Sequence, residues 1–546
     1  MTGNPTDPER RLIDGLLAGM EVDLTGGGRT QVSKGGRWSP ARTVRADVLA
    51  DQLARPVDGA ASPRAALKLV GAKITGALDL AHAKIAVPMS FRRCWFEHAP
   101  DLTEAQAPNL SLDDCRLPAL SARLLELRGD LTCRATRVGG TVNVENARIG
   151  GDLDLSGSTL NDPHGEALVG DRLTVSGSLL ADNGFTAIGA VWLGGAAIGG
   201  DFHLSNATLD NPGENALNAY NLTVNGAVIG LDLHVAGEVS LSGAQLGQVN
   251  FAGATLANSG GAALTAENLS VRTDFFARNG FTATGELSLI DTSIGSIDLS
   301  RATLENPGGA ALTLNGSRVG KLWLLCAMPP VGSVRLVGVR VGELVDHPES
   351  WPAELDLEHC EYDRLQGARL NQRDQSAIYV SVSVRQRLAW LERQLGGFQP
   401  QPYEQLAAVY RRHGQEPQAR RVLLEKHRRQ RATLAWPRRL AGYVLDVLIG
   451  YGYRNWLAAI WLLAFWLLGT ITFHYRPPAP YDPGKAPPYH SAMHALDLLL
   501  PIIDLGHDDT WRAAGIAQWI SYLLILAGWV LTTAVVAGLT RVFSRT

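Results

Sequence analysis

Two histidines four residues apart, His490 and His494, followed by Asp497, would share one face of a helix. Two imidazoles and a carboxylate at that spacing can hold a divalent metal. The plainer account is a set of interfacial histidines facing water or lipid headgroups, with His474 and His507 close by in sequence. A few residues further on, Ile502, Ile503, Asp504, Leu505 and Gly506 make a short apolar loop around one carboxylate. Repeated around a ring of subunits, these five would line a pore, with Asp504 selecting cations. Other chemistry finds less support. Cys94, Cys115, Cys133, Cys326 and Cys360 are scattered, odd in number and without a CxxC pair, which argues against a disulfide framework, a structural zinc site or an iron–sulfur centre. No GxGxxG follows a strand and opens a helix. No catalytic residue is singled out, and no cofactor is expected.

The elements around these residues are apolar. Residues 456–473 run for 18 positions without a charge and residues 516–539 for 24, each long enough to cross a bilayer core as a helix. Trp456, Trp461, Tyr475, Trp511 and Trp519 fit interfacial belts. Residues 411–454 hold eleven Lys or Arg against three acids, whereas 474–515 hold only Arg476, Lys485 and Arg512. The positive-inside rule then places both termini, and the long segment ahead of the spans, on the cytoplasmic side of a bacterial cytoplasmic membrane. Arg428, Arg429, Arg431, Arg438 and Arg439 would attract anionic lipid. Between the spans, a Pro-rich stretch (476–488) leads into a mostly apolar segment (491–506) too short to cross, which either re-enters the membrane or lies on its surface.

Ahead of the membrane part the chain repeats itself. Leu153-Asp-Leu-Ser-Gly-Ser158-Thr-Leu160 returns as Phe202 to Leu209, Val249 to Leu256 and Ile297 to Leu304. Sister units begin at Val142, Val191, Val239 and Leu287, spaced 49, 48 and 48 residues, with Val334 another 47 on and an isolated pair at Leu67 and Leu78. Such a period means stacked supersecondary units. Within each unit apolar residues alternate in short bursts cut by Gly, Asn and Asp, which are strands and turns. Small residues at Ser158, Ala207 and Ala254 suit tight corners, and Asp152, Asp154 and Asp201 read as turn residues rather than ligands.

The expected architecture is mainly a β-solenoid (β-helix) over 65–365, with a small helical N-terminal cap over 1–64. A helical hairpin and basic linker follow over 366–440, then a two-helix membrane domain over 441–546. The strand pattern stops after Glu361, and the first residues carry no early apolar run of the kind a secretory signal needs. Tyr403 to Lys426 is similar to a single tetratricopeptide-type unit through Leu406, Tyr410, Gly414 and Ala419.

The coils resemble pentapeptide-repeat and other bacterial β-solenoid proteins, although uninterrupted five-residue tandems are missing. The arrangement of span, short apolar helix, Asp504-Leu505-Gly506 loop and second span resembles the pore module of two-helix cation channels. Ile502 to Gly506 is not their Thr-Val-Gly-Tyr-Gly filter, so potassium selectivity is not implied. Nearly the whole chain resembles bacterial, mainly actinobacterial, proteins that carry the name membrane-associated oxidoreductase. That resemblance rests on Arg387-Leu-Ala-Trp-Leu, Gln401-Pro-Tyr-Glu-Gln-Leu-Ala, Gly450-Tyr-Gly-Tyr-Arg454 and Leu498 to Gly506. It supplies a name and no catalytic residues. Nearly balanced charge, 50 basic against 53 acidic residues, points away from nucleic acid. The sequence favours a non-enzymatic, membrane-anchored scaffold that binds lipid and a protein partner or itself, with no small-molecule substrate identified. An oligomeric cation channel and a metal- or haem-dependent oxidoreductase are the alternatives.

Overall fold

A computed structural model describes residues 5–26, 31–54, 66–371, 376–449, 456–482, 484, 488–500, 505–506 and 510–543. The chain divides into two compact units, residues 1–397 and 398–546.

The first unit is a β-solenoid of about 14 turns. Two long parallel sheets run along it, and an early coil shows how they arise. Glu126–Leu127 and Leu131–Thr132 belong to one sheet, Arg137–Val138 and Val142–Asn143 to the other. Each strand is two residues long because the chain turns at almost every fifth residue, and every second side chain points inward. Leu127, Leu131, Val138 and Val142 are accordingly buried. Stacked coils satisfy one another's peptide groups through in-register parallel pairing, as in Glu126 with Arg148 and Leu131 with Leu153. At a strand spacing of about 4.8 Å, this stack is roughly 65 Å long. Phe91 and Phe96 meet edge to face at 5.5 Å, and Phe251 and Phe275 at 6.1 Å, filling the interior where Leu or Val alone would leave gaps.

The 48-residue period spans two coils. From Arg148 to Thr174 and from Ala197 to Thr223 a coil takes 26 residues, but from Thr174 to Ala197 it takes 23. The longer coils carry a protruding arch within strands Thr159–Val169, Thr208–Asn218, Thr255–Thr265 and Thr303–Thr313. In three arches an asparagine closes the loop, Asn211 Nδ2 donating to the Asn215 carbonyl, Asn258 to Ala262 and Asn306 to Ala310. Beneath each arch the next coil places a glycine. Gly237 has φ +123°, and a Cβ there would sit 2.5 Å from the Asn211 carbonyl oxygen. Gly189, Gly285 and Gly332 repeat that arrangement, so the period marks where only glycine fits.

The corner reading of the small residues holds. Ser158, Ala207 and Ala254 point inward and are fully buried, each following a left-handed residue, Gly157, Asn206 or Gly253. Asp152 and Asp201 hold coils together, while Asp154 braces its own turn. Asp152 Oδ1 accepts from the Ser178 amide and Asp201 Oδ1 from the Ala227 amide, both at 2.7 Å. Asp154 Oδ1 accepts from the Ser156 amide and hydroxyl. All five cysteines are free and buried, and burial pushes the thiols of Cys326 and Cys360 up to about 12.

Both ends are closed by helices. Helix α1 (Asp7–Ala18) and helix α2 (Ala46–Leu53) form the expected cap. Strands Glu21–Asp23 and Thr43–Arg45 between them already pair with the first coil. Glu9, wholly buried, receives Arg45 Nε at 2.9 Å and Nη2 at 3.0 Å, plus the Thr6 amide at 2.7 Å. Burial would raise its pKa, but those bonds and the Arg45 charge outweigh it and bring the carboxyl down to about 2. At the other end the strands continue past the expected stop. Glu361–Leu370 extends the sheet, and Ala377–Val380 folds back on it antiparallel. Helix α3 (Val384–Leu391) then closes the coil and belongs to this unit rather than to the hairpin. Its Arg387 donates to Asp346 Oδ2 at 2.7 Å, with both side chains 2% exposed. Trp351 Nε1 donates to the same oxygen at 2.9 Å, and the guanidinium lies 5.5 and 5.6 Å from the Trp351 and Trp390 ring centres.

Candidate functional site in the helical unit

The second unit is helical. Helices α4 (Pro400–Arg412) and α5 (Glu416–Thr433) form the expected hairpin, turning at Gly414 with φ +72° and burying Leu406 and Ala407 with Ala419, Val422 and Leu423. Helix α6 (Trp436–Ile449) follows, and its Asp446 draws Arg428 and Arg431 of α5 to 3.1 and 3.2 Å. Arg429 pairs with Glu425 at 3.2 Å, while Arg438 and Arg439 are exposed on α6. Three of the arginines assigned to lipid thus also brace the unit internally. Trp436, Tyr443 and Val447 are exposed, and at positions i, i+7 and i+11 they form one apolar stripe.

Helix α7 (Trp456–Tyr475) and helix α9 (Ile516–Phe543) are long and apolar enough to span a membrane. Only 17% and 22% of their most apolar windows is buried, unlike the core helices of a soluble domain. Leu463, Leu467, Ile471, Leu523, Leu526 and Val530 all face outward.

Helix α8 (Ser491–Leu499) sits between them. Antiparallel pairing of Ala479 with Arg512 and Pro480 with Trp511 ties the end of α7 to the start of α9, so the connector leaves and returns at one level. From that level α8 dives inward. Its middle lies on Gly469, where a Cβ would come within 2.9 Å of the Ala495 Cβ. Its carboxyl end lies on Gly528, where a Cβ would be 2.1 Å from the Leu499 carbonyl oxygen. Gly528 is twelve residues into α9, about 18 Å along its axis. Phe473, Ala495, Leu498, Leu499, Ala517 and Leu524 close over this seat. Trp466 Nε1 donates to the Ala492 carbonyl at 3.0 Å, and the Tyr489 hydroxyl to the Phe473 carbonyl at 3.2 Å.

His494 and Asp497 are both on the buried face of α8. His494 packs its ring edge-on against Phe473 at 4.8 Å and lies 6.0 Å from Tyr489. Asp497 Oδ1 accepts from the Leu505 amide at 2.6 Å, fastening the returning loop to the helix. His490 precedes α8 as its cap residue. Among the described residues no group of three or more His, Cys, Asp or Glu is placed to hold a metal ion. Of the proposed pore-lining residues, Leu505 is 40% exposed and Gly506 has φ +72°. Ile502, Ile503 and Asp504 lie outside the described residues, as does His507. Sequence reasoning missed Gly469 and Gly528, and the sign available was a glycine within each apolar run.

Fold and site together define a β-solenoid joined in sequence to a helical unit with two candidate membrane spans and a short helix between them. No protein-family model matches the chain, and no curated protein or solved structure is significantly similar to it.

Proposed function

We propose that the protein is a membrane-anchored scaffold: α7 and α9 cross the cytoplasmic membrane, and the solenoid offers an elongated surface to a protein partner in the cytoplasm. The observation that carries this reading is the outward apolar surface of α7 and α9, less than a quarter covered, in a chain whose larger part is a stacked β-solenoid. Solenoids have extended surfaces suited to partner binding. Surface charge indicates the kind of partner. Residues 176–300 hold eleven Asp or Glu and only Arg272 and Arg278, so these coils favour a basic protein. The exposed stripe of α6, with Arg438 and Arg439, fits the headgroup layer. Alkaline extraction of membranes provides the test. The full chain should stay in the pellet and a chain truncated after Gly397 should be released; release of the full chain would refute anchoring.

A second reading, an oligomeric cation-conducting pore, is favoured by the seat of α8. With α7 and α9 crossing, its carboxyl end lies about 18 Å into the bilayer, and the carbonyl end of a helix favours cations. Backbone that leaves a helix at that depth is tolerated where protein or a water-filled cavity receives it. This reading expects a ring of four or more copies by native mass spectrometry and conduction lost in Asp504→Ala. The scaffold expects neither. The resemblance to membrane-associated oxidoreductases contributes architecture to this reading; in it His494 packs against Phe473 and Asp497 accepts from the Leu505 amide.

A further inference from the structure

The last coils of the solenoid carry an open recess of about 820 Å³. Its lining is mixed, more polar than apolar; Leu370 and Ile378 supply apolar surface, with the nearly buried Leu325 and Cys326 beside them. Arg301, Arg369 and His347 stand around it. Among the described lining residues Glu349 is the one carboxylate, its side chain 89% exposed and 3.5 Å from His347 Nδ1, so two arginines stand against one acid and leave a local positive excess. This contrasts with the acidic coils just before it.

Arg301 sits at a left-handed corner, as Arg93 and Arg172 do elsewhere in the solenoid. It is the left-handed corner residue of its coil, φ +60°, where the equivalent corners carry Gly157, Asn206 and Gly253 at φ +68°, +56° and +73°. Glycine and asparagine suit that conformation, and arginine is strained in it by about 1 kcal/mol. From this corner its Nη2 donates to the Asn371 carbonyl at 3.0 Å, across the cavity's edge. A recess that sets apolar side chains beside two arginines suits an amphipathic anion, and the volume is of the right order.

We propose that this cavity binds a small amphipathic anion, a phosphate or carboxylate head held by Arg301 and Arg369 with an apolar tail on Leu325, Leu370 and Ile378. The site lies wholly within the solenoid unit and stands apart from the membrane reading. Octyl phosphate is the probe, titrated calorimetrically into the full chain in nanodiscs, with octanol and inorganic phosphate as partial mimics. Arg301→Gly restores the residue used at two sister corners, so the fold is preserved, which thermal unfolding checks; Arg369→Gln is the second variant. Octyl phosphate should bind at least tenfold more tightly than either mimic, and each variant should weaken it about tenfold or more. Octanoate binding comparably would assign the site to free amphiphiles of either head. Binding only to vesicles of anionic lipid, and not to the monomeric probe, would overturn the proposal. Equal binding by wild type and a folded Arg301→Gly variant, or no binding by wild type, would overturn it too.

Discussion

Gly528→Ala tests whether α8 is seated between the two apolar helices as described. The added Cβ would lie 2.1 Å from the Leu499 carbonyl oxygen and 2.8 Å from its carbon, and both atoms are backbone. Restoring an ordinary contact of 3.4 Å requires the end of α8 to retreat by about 1.3 Å. Side-chain rotation cannot supply that movement, so the clash falls in the usual range for overpacking, about 1–3 kcal/mol. Alanine in a helix offsets up to about 1 kcal/mol of this relative to glycine. The net expectation is a loss of up to about 2 kcal/mol in an SDS-titration unfolding experiment. Val530→Ala, at an outward position two residues away, should stay within about 0.5 kcal/mol. Because Asp497 fastens the Leu505 amide to α8, the displacement should also speed maleimide labelling of a Leu505→Cys reporter. The native thiols, all buried, contribute little background. A Gly528→Ala protein that is as stable as wild type or more so, with unchanged labelling, would refute the seat.

Arg387→Leu leaves Asp346 buried without its cation and should cost about 3–5 kcal/mol in urea unfolding of the solenoid unit, while pairing it with Asp346→Leu should recover part of the loss. Gly237→Ala meets the Asn211 and Glu214 carbonyl oxygens at 2.5 and 2.8 Å in a φ region closed to alanine; a loss of about 2–4 kcal/mol is expected by the same method. Glu9 titrates at about 2 in the folded chain against an ordinary 4.5. Its contribution, at most about 3 kcal/mol, is therefore complete above pH 4.5 and lost as the pH falls toward 2. Thermal unfolding of Glu9→Gln should accordingly show a shallower loss of stability across that interval than wild type, and parallel curves would contradict the assignment.

The solenoid was legible because its spacing is enforced by physics visible in the text. The glycines beneath the arches and the asparagines closing them recur at fixed intervals, and a 48-residue period follows from a long coil alternating with a short one. Coils between Leu78 and Arg128 lack arches, and their strands are two to four residues long, so they offered only an isolated pair where the structure has a continuous stack. Strand Glu361–Leu370 was hidden by its outward Glu361, Asp363, Arg364 and Arg369, which break the apolar alternation without breaking the ladder. The two long apolar helices were plain from composition. The depth of α8 was not, since it depends on Gly469 and Gly528, distant in sequence and informative only when a third helix lies on both. The His490, His494 and Asp497 spacing gave the right shared face for His494 and Asp497, but that face turned toward Phe473 and the Leu505 amide.

In the proposed anchoring, α7 and α9 cross the membrane with the solenoid and the connector on opposite sides. Single cysteines at Tyr379 and Tyr481, 55% and 65% exposed, report on the two sides when an impermeant maleimide is applied to inside-out and right-side-out vesicles. Tyr379→Cys should label only in inside-out vesicles and Tyr481→Cys only in right-side-out ones. Labelling of both from the same face would contradict the anchored architecture.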